Sequence, residues 1–455
     1  MPIKVSLISL GCARNLVDSE VMLGFLEGPD FKIVSQPAKS DVAIVNTCAF
    51  IEDAKKESIK AILDLVDLKR NGRIKKILVA GCLAQRYGAA LREELKEADG
   101  FVGVDALPKI ARIIKELLRK GRVCDLSARP VFLYDEKSPR FFLTPRHYAY
   151  IKISEGCSHR CSFCVIPDIR GLHRSRAEGS ILKEAGRLIK RGVKEINLIG
   201  QDTTLYGMDL YGRFALASLL KKLAKIKGAG WIRLLYAHPA HFTDELIGVI
   251  RDEPVVCRYI DLPIQHINDR ILKDMGRGAS KRSILSLLDK LRKQIPGVAI
   301  RTSIIVGFPG ETMKEFSELL NFIKDQRFAR LGAFMYSREE ATPAYNFPRQ
   351  ISEEEKTLRW NEIMKIQREI SNENNRELIG KRIDVIIDEK DASGSNIYLG
   401  RSYMDAPEVD GIVYIKTAKG EALNSKLKIG DFSRVKIIDA YEYDLVGEVT
   451  GKKTL

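Results

Sequence analysis

The sequence predicts an α/β protein in three parts. These are an N-terminal parallel-sheet domain over residues 1–125, an open partial (β/α)6 barrel over residues 143–372, and a small antiparallel β-barrel within residues 373–455. Three observations predict it. Short apolar, β-branched runs alternate with helix-like stretches in the first part; six such runs with longer spacers fill the middle; and the tail breaks into short alternating runs separated by turn residues.

In the first part, "IKVSLISLGC", "DVAIVNTC" and "KKILVAGC" each read as a strand, and each ends in a cysteine, Cys12, Cys48 or Cys82. "DSEVMLGFLE" and "IEDAKKESIKAILDLVDLKR" between them are helix-like. Continuous apolar strands alternating with helices imply a parallel sheet covered on both faces. Sites in such sheets form just beyond the carboxyl ends of the strands. Cysteines 36 and 34 positions apart in sequence are thereby predicted to converge on a metal. Residues 126–142, "LSARPVFLYDEKSPRFF", carry two prolines and no period, and read as a linker.

The six strands of the second part are "HYAYIKI", "KEINLIG", "WIRLLYA", "CRYIDLPI", "VAIRTSIIVG" and "ARLGAFMYS". A closed barrel of this type needs eight, so six imply an open one with its chemistry at the C-terminal ends of the strands. A connecting helix follows, with Leu358, Ile363, Ile366 and Ile370 near helical spacing, and Glu353 to Glu355 at its start. It is predicted to end near Gly380, where the runs "RIDVIIDEK", "NIYLGRSY", "GIVYIKT" and "FSRVKIIDAYEYDLVGEV" begin.

Bulk properties narrow the class. No apolar run approaches the roughly 20 residues that cross a bilayer. "MPIKVSLISLGC" lacks a signal peptide's cleavage site and reads as a core strand, so a cytoplasmic protein without membrane partners is expected. Thiols stay reduced there, and eight cysteines argue for metal binding or catalysis over disulfides. The net charge is +15, yet residues 377–455 hold 12 Lys and Arg against 14 Asp and Glu. The basic character lies in the first two parts, where it suits RNA or a ribosomal setting equally. No heptads or symmetric patch stand out, and a monomer is expected.

The loop after the first barrel strand is "SEGCSHRCSFCVIP", with Cys157, Cys161 and Cys164 and no fourth cysteine nearby. One reading is zinc completed by His159 or water, although ligands at 157, 159, 161 and 164 leave very short loops for a tetrahedron. The other is a 4Fe–4S cluster on three thiolates. Its fourth iron then stays open to bind and cleave S-adenosylmethionine for radical chemistry.

"CSHRCSFC" on the first loop of a six-unit partial barrel resembles the radical S-adenosylmethionine superfamily. With a second three-cysteine site in a domain ahead of it and a small β-barrel behind, the whole chain looks like the methylthiotransferases. That resemblance implies two 4Fe–4S clusters, one on Cys12, Cys48 and Cys82 and one on Cys157, Cys161 and Cys164. It implies replacement of a hydrogen by a methylthio group, with S-adenosylmethionine as cofactor and reduced flavodoxin or ferredoxin as electron donor. No catalytic side chain is expected beyond the clusters. Phe163 would lie near the adenine. Gln201, Asp202, Gln265 and His266 end barrel strands where the cofactor would lie. Gly307 and Gly310 in "IIVGFPGET" allow a tight turn and close backbone approach. Arg170, Arg174 and Arg176 read as a solvated basic face or a binder of an acidic group. Cys124 and Cys257 read as ordinary buried cysteines.

"SLGCARNLVDSE", "PIQHINDRIL" and "GRSYMDAPEVDGIVYI" are similar to the RimO-type branch, which modifies the β-carbon of an aspartate in small-subunit ribosomal protein S-twelve. The tail resembles the TRAM domain. Its Asp405, Glu408 and Asp410 suggest an acidic surface, suited to a basic protein better than to a phosphate backbone. The branch that modifies a transfer-RNA adenosine is the alternative. A non-catalytic Fe–S carrier and a zinc-bearing RNA-binding protein are the readings from other classes.

Overall fold

Strands β3 (Val42–Thr47) and β4 (Lys76–Gly81) have no fully exposed residue, as strands covered on both faces require. They lie at the centre of a parallel sheet in the computed structural model, which describes residues 1–391, 397–416 and 427–452. The chain forms two compact units. The first comprises Met1–Leu143, Lys152–Ile181 and Ser337–Tyr345; the second comprises Thr144–Ile151, Leu182–Tyr336 and Asn346–Leu455.

The sheet of the first unit adds β1 (Ile3–Ser9), β2 (Phe31–Ile33), β5 (Gly100–Val102) and β6 (Val123–Asp125), in the order β2-β1-β3-β4-β5-β6. β2, β5 and β6 have three residues each, too few for a periodic signal, which is why the sequence did not announce them. Helices α1 (Ala13–Gly24), α2 (Glu52–Arg70), α3 (Cys82–Glu94) and α4 (Ile110–Lys120) connect the strands. Cys124 sits on edge strand β6 and is exposed, not buried as read. Residues 126–142 have no regular structure but are held down. Asp105 accepts from the Val131 and Phe132 amides, and Phe141 N donates to Glu20 O at 3.0 Å. Helix α5 (Ile166–Arg170), just after the second cysteine loop, puts Ile169 into the same apolar core as Leu83 and Ala84 of α3. A short hairpin of β8 (Ser154–Glu155) and β9 (Arg174–Ser175) closes that loop.

The second unit holds a parallel six-stranded sheet in the order β14-β13-β12-β11-β10-β7. Its strands are β7 (Tyr148–Lys152), β10 (Glu195–Ile199), β11 (Trp231–Leu234), β12 (Val256–Asp261), β13 (Ala299–Val306) and β14 (Arg330–Met335). All six were legible as apolar runs, and the sheet remains open between β14 and β7. The Glu353–Arg376 helix is capped by Ser352 Oγ, which accepts from Glu355 N. Ile363, Ile366 and Ile370 face inward, but Leu358 is 65% exposed; Arg359, donating to Glu311 O at 3.0 Å, takes the inward position beside it. The closed small barrel follows, with β15 (Arg382–Lys390), β16 (Ile397–Ser402), β17 (Val413–Lys416), β18 (Phe432–Ala440) and β19 (Leu445–Lys452). Its pairs are antiparallel except β17–β19, which is parallel. Segments 392–396, 417–426 and 453–455 of the predicted barrel lie outside the described residues.

The small barrel packs against the sheet near the N-terminal ends of its strands, through buried charge. Arg233 of β11 donates to Glu195 of β10 at 2.8 Å, and both side chains are fully buried. Glu195 also forms an ion pair with Arg401 of β16 at 2.7 Å, and Arg401 reaches Asp388 of β15, which meets His147 at 2.7 Å. The β16–β17 loop was read as an acidic surface for a basic partner, and the structure corrects this. Asp405 is buried against Arg330 at 2.5 Å. Asp410 accepts from Tyr259 Oη at 2.7 Å and pairs with Arg301. Glu408 is exposed, but accepts from Tyr148 Oη at 2.7 Å. The loop supplies the anions that four strands' worth of buried Arg and Tyr groups demand. Removing one partner of such a buried pair costs about 3–5 kcal/mol. Arg401→Met is therefore expected to lower the urea midpoint of the second unit by an equivalent amount, with the first unit's transition unchanged.

Candidate active site

Each cysteine of the first trio stands where a strand gives way to a helix or loop. Cys12 is the N-cap residue of α1, and Cys82 is the first residue of α3. Helix N-termini favour negative charge, including a thiolate. Cys48 follows β3; its amide donates to Ser58 Oγ at 3.0 Å, and Ser58 Oγ donates back to Cys48 O at 2.9 Å. Two glycines permit the convergence. Gly11 has φ +87°, and a Cβ there would lie 2.8 Å from Cys48 Cβ. Gly81 has φ +89°, and a Cβ there would lie 2.9 Å from Thr47 O. Asn15 Nδ2 ties the strand ends together by donating to Leu10 O, Asn46 O and Thr47 O.

Burial and neighbouring charge act differently on the three thiols. Burial pushes Cys48 up to about 12, helped by Cys82 and Cys12. Burial also raises Cys82, although Arg170 opposes it. Burial acts against ionisation of Cys12 too, but Arg14 and Arg170 outweigh it and its pKa falls. A multivalent metal centre relieves this mutual repulsion by binding all three as thiolates. In the second loop, Cys157 N donates to Gly171 O at 3.0 Å, and Cys164 N closes a turn onto Cys161 O at 3.2 Å. Burial, then Cys161, push Cys164 up to about 12.

Between the two loops lies a knot of charge that the sequence reading missed. Lys152 Nζ donates to Asp18 and Glu155, both at 2.5 Å. Arg170 Nη1 donates to Asp18 at 2.6 Å, and its Nη2 reaches Asn15 Oδ1 at 3.2 Å and Cys82 Sγ at 3.3 Å. Arg170 is thus buried at a cysteine, not on a solvated face. Arg176 is buried too, stacked 4.2 Å from the Tyr134 ring, while Arg174 is partly exposed and bonds Arg170 O. The available signal was Lys152, a lysine inside an apolar strand, since lysine is almost never fully buried unless paired. The segment Ser337–Tyr345 also reaches both loops. Its Glu339 pairs with Arg86 at 2.6 Å and Lys55 at 3.0 Å, and Arg86 donates to Ala49 O beside Cys48. Its Ala344 N donates to Ser162 O, between Cys161 and Cys164, at 2.8 Å.

The remaining residues singled out in the sequence fall at several places. Phe163 is half-buried in the second cysteine loop of the first unit. The rest stand beyond the C-terminal ends of the second unit's strands. Gln201 and Asp202 follow β10, and Asp202 accepts from Thr204 and meets His241 Nδ1 at 2.8 Å. Gln265 has φ +73° and bridges to β13, through its amide to Ser303 O and its carbonyl to Ile305 N. His266 is fully buried; its Nδ1 accepts from Asn268 N at 3.0 Å, which leaves the proton on Nε2. At Gly307, with φ +70°, the space of a Cβ is taken by Lys356, and Gly310 lies against Arg349 and Arg270. The nearest protein groups at both glycines are cationic side chains. Cys257 is buried.

Burial holds His266 down to about 3, so it is neutral when folded. Unfolded, it takes a proton near pH 6.5. The unfolded state then binds more protons, and stability falls as pH drops from about 6.5 toward 3. Between pH 6.5 and 5, where carboxylates contribute little, His266→Gln is expected to flatten the pH dependence of the urea midpoint.

Comparison with known proteins places this geometry. The Radical SAM superfamily profile matches residues 151–323, the profile of the uncharacterized protein family UPF0004 matches 4–103, and the TRAM domain profile matches 379–450. Ribosomal protein uS12 methylthiotransferase RimO of Citrifermentans bemidjiense is 47% identical over 446 residues, 98% of each chain. Its namesake from Clostridioides difficile is 46% identical over 447 residues, 98% of this chain and 99% of that one. Among solved structures, the radical S-adenosylmethionine methyltransferase TsrM from Kitasatospora setae shares the fold at TM-score 0.54 and 16% identity, over 76% of this chain and 77% of that one. Likeness of that extent to the first two makes this chain a member of the RimO family of methylthiotransferases, within the radical SAM superfamily.

Proposed function

We propose that this enzyme replaces a hydrogen on the β-carbon of an aspartate of ribosomal protein uS12 with a methylthio group. It acts as a cytoplasmic monomer, on the free protein or on the ribosome, with electrons from reduced flavodoxin or ferredoxin. The observation that carries this reading is the pair of separate three-cysteine sets in a chain of the RimO family. Among the described residues no helix is long and apolar enough to cross a membrane.

In this reading Cys12, Cys48 and Cys82 hold one 4Fe–4S cluster, and Cys157, Cys161 and Cys164 the other. Together with S-adenosylmethionine, the clusters supply the radical, the methyl group and the sulfur chemistry. The chain's own residues do the rest. Arg14 and Arg170 offset the charge of the first trio. In this reading Phe163 in the first unit, and Gln201, Asp202, Gln265, His266, Gly307 and Gly310 in the second, are each proposed as cofactor contacts. Asp202 is committed to Thr204 and His241, so it orients the imidazole. His266, neutral with its proton on Nε2, serves as a hydrogen-bond donor and not as a base. The protein substrate is supported by the relatives' shared name. The β16–β17 acids lend it no support, because Asp405 and Asp410 are buried in ion pairs.

Co-expression with uS12 tests this. A methylthio increment on one aspartate peptide is expected with the wild type and not with Cys157→Ala. An increment found instead on transfer-RNA adenosine, with both clusters loaded, would reassign the substrate. In a background with Cys157, Cys161 and Cys164 replaced by alanine, Gly11→Ala is expected to lower bound iron at least twofold by colorimetric assay. Its Cβ would press on Cys48.

A further inference from the structure

We infer that Arg170 sets the reduction potential of the N-terminal cluster, through the hydrogen bond and charge it brings to Cys82. This rests on the assignment of that cluster to Cys12, Cys48 and Cys82. Arg170 ends the helix that follows the radical-cluster loop, so the residue that tunes one site is anchored in the segment that forms the other.

The geometry is specific. Arg170 is 2% exposed, and its Nη2 lies 3.3 Å from Cys82 Sγ. Its other partners, Asp18, Glu155 and Asn15, fix the guanidinium plane from three sides. Asp18 and Glu155 are shared with Lys152, so two acids balance two bases overall, and of the four groups it is the guanidinium that bonds the sulfur. Hydrogen bonds to cluster sulfurs and nearby net charge are the levers by which a protein moves an Fe–S potential. A donor and a cation at a ligating sulfur both favour the reduced, more negative state. Reduction here adds one electron from an external donor. No bond to Arg170 forms or breaks, and the guanidinium keeps its proton, since arginine is not deprotonated in proteins. Asp18 acts on the same sulfur with the opposite sign.

Potentiometric titration with dithionite, read by electron paramagnetic resonance, tests this on the full chain with Cys157, Cys161 and Cys164 replaced by alanine. Only the N-terminal cluster then reports. Arg170→Gln is expected to make reduction at least tenfold less favourable, a midpoint about 59 mV lower for a one-electron couple. Arg170→Lys, which keeps the charge, is expected to fall between it and the wild type. Asp18→Asn is expected to move the midpoint upward. Opposite shifts from Arg170→Gln and Asp18→Asn separate an electrostatic role from general damage, which does not reverse sign. Shifts in the same direction, or none, overturn the inference. If Arg170→Gln holds no cluster, the sign for Asp18→Asn decides alone. Absence of iron and sulfide from the triple-alanine parent would instead refute the cluster assignment.

Discussion

Two acids and two bases, all at least nine-tenths buried, meet inside the first unit: Asp18 on α1, Lys152 at the end of β7, Glu155 on β8 and Arg170 on α5. Taking four charges out of water is costly, and only near-complete pairing makes it tolerable. That requirement holds four segments in one arrangement. If α1 shifts, Asp18 leaves Arg170 and Lys152 under-paired; if the β8–β9 hairpin opens, Glu155 does the same. Because Cys12 caps α1 and α5 follows Cys164, the demand for charge balance ties down a segment next to each cysteine set. A hydrophobic contact of similar size would tolerate sliding; buried ion pairs have one register.

The second unit uses the same physics at the other end of its sheet. Arg233, Glu195, Arg401 and Asp388 join strand starts to the small barrel, while Gln201, Gln265 and Gly307 lie beyond the strand ends. In β/α barrels, chemistry gathers at the C-terminal face and stability at the N-terminal face. The TRAM barrel here is part of the stabilising face. Its acids in the β16–β17 loop answer buried arginines of β13 and β14, so their sign follows from intramolecular needs before any partner's charge.

The elements that could be read from sequence were those with a local signal. Nine apolar runs marked the main strands of the two sheets, and cysteines marked where three of them end. What could not be read was pairing between charges far apart in the chain. Asp18 and Arg170 are 152 positions apart, and nothing in "LVDSE" or "DIRG" names the other. The same blindness turned a buried arginine into a solvated face, and acids committed to intramolecular pairs into an acidic surface. Cys124 failed for a smaller reason, because a three-residue edge strand gives no alternation from which to read its exposed side.

The strap Ser337–Tyr345 has a consequence for how the protein is made. Lys55 and Arg86 find their shared carboxylate, Glu339, 284 and 253 positions further along. Synthesis proceeds at roughly 5–20 residues per second, and domains fold N-terminal first. The first sheet therefore stands for many seconds before Glu339 arrives, with Lys55 paired only to Glu52 and the Cys48 loop held only through Ser58. Ser162 waits similarly for Ala344. Both cysteine loops therefore gain this support only after β14, the last strand of the second sheet, has been made.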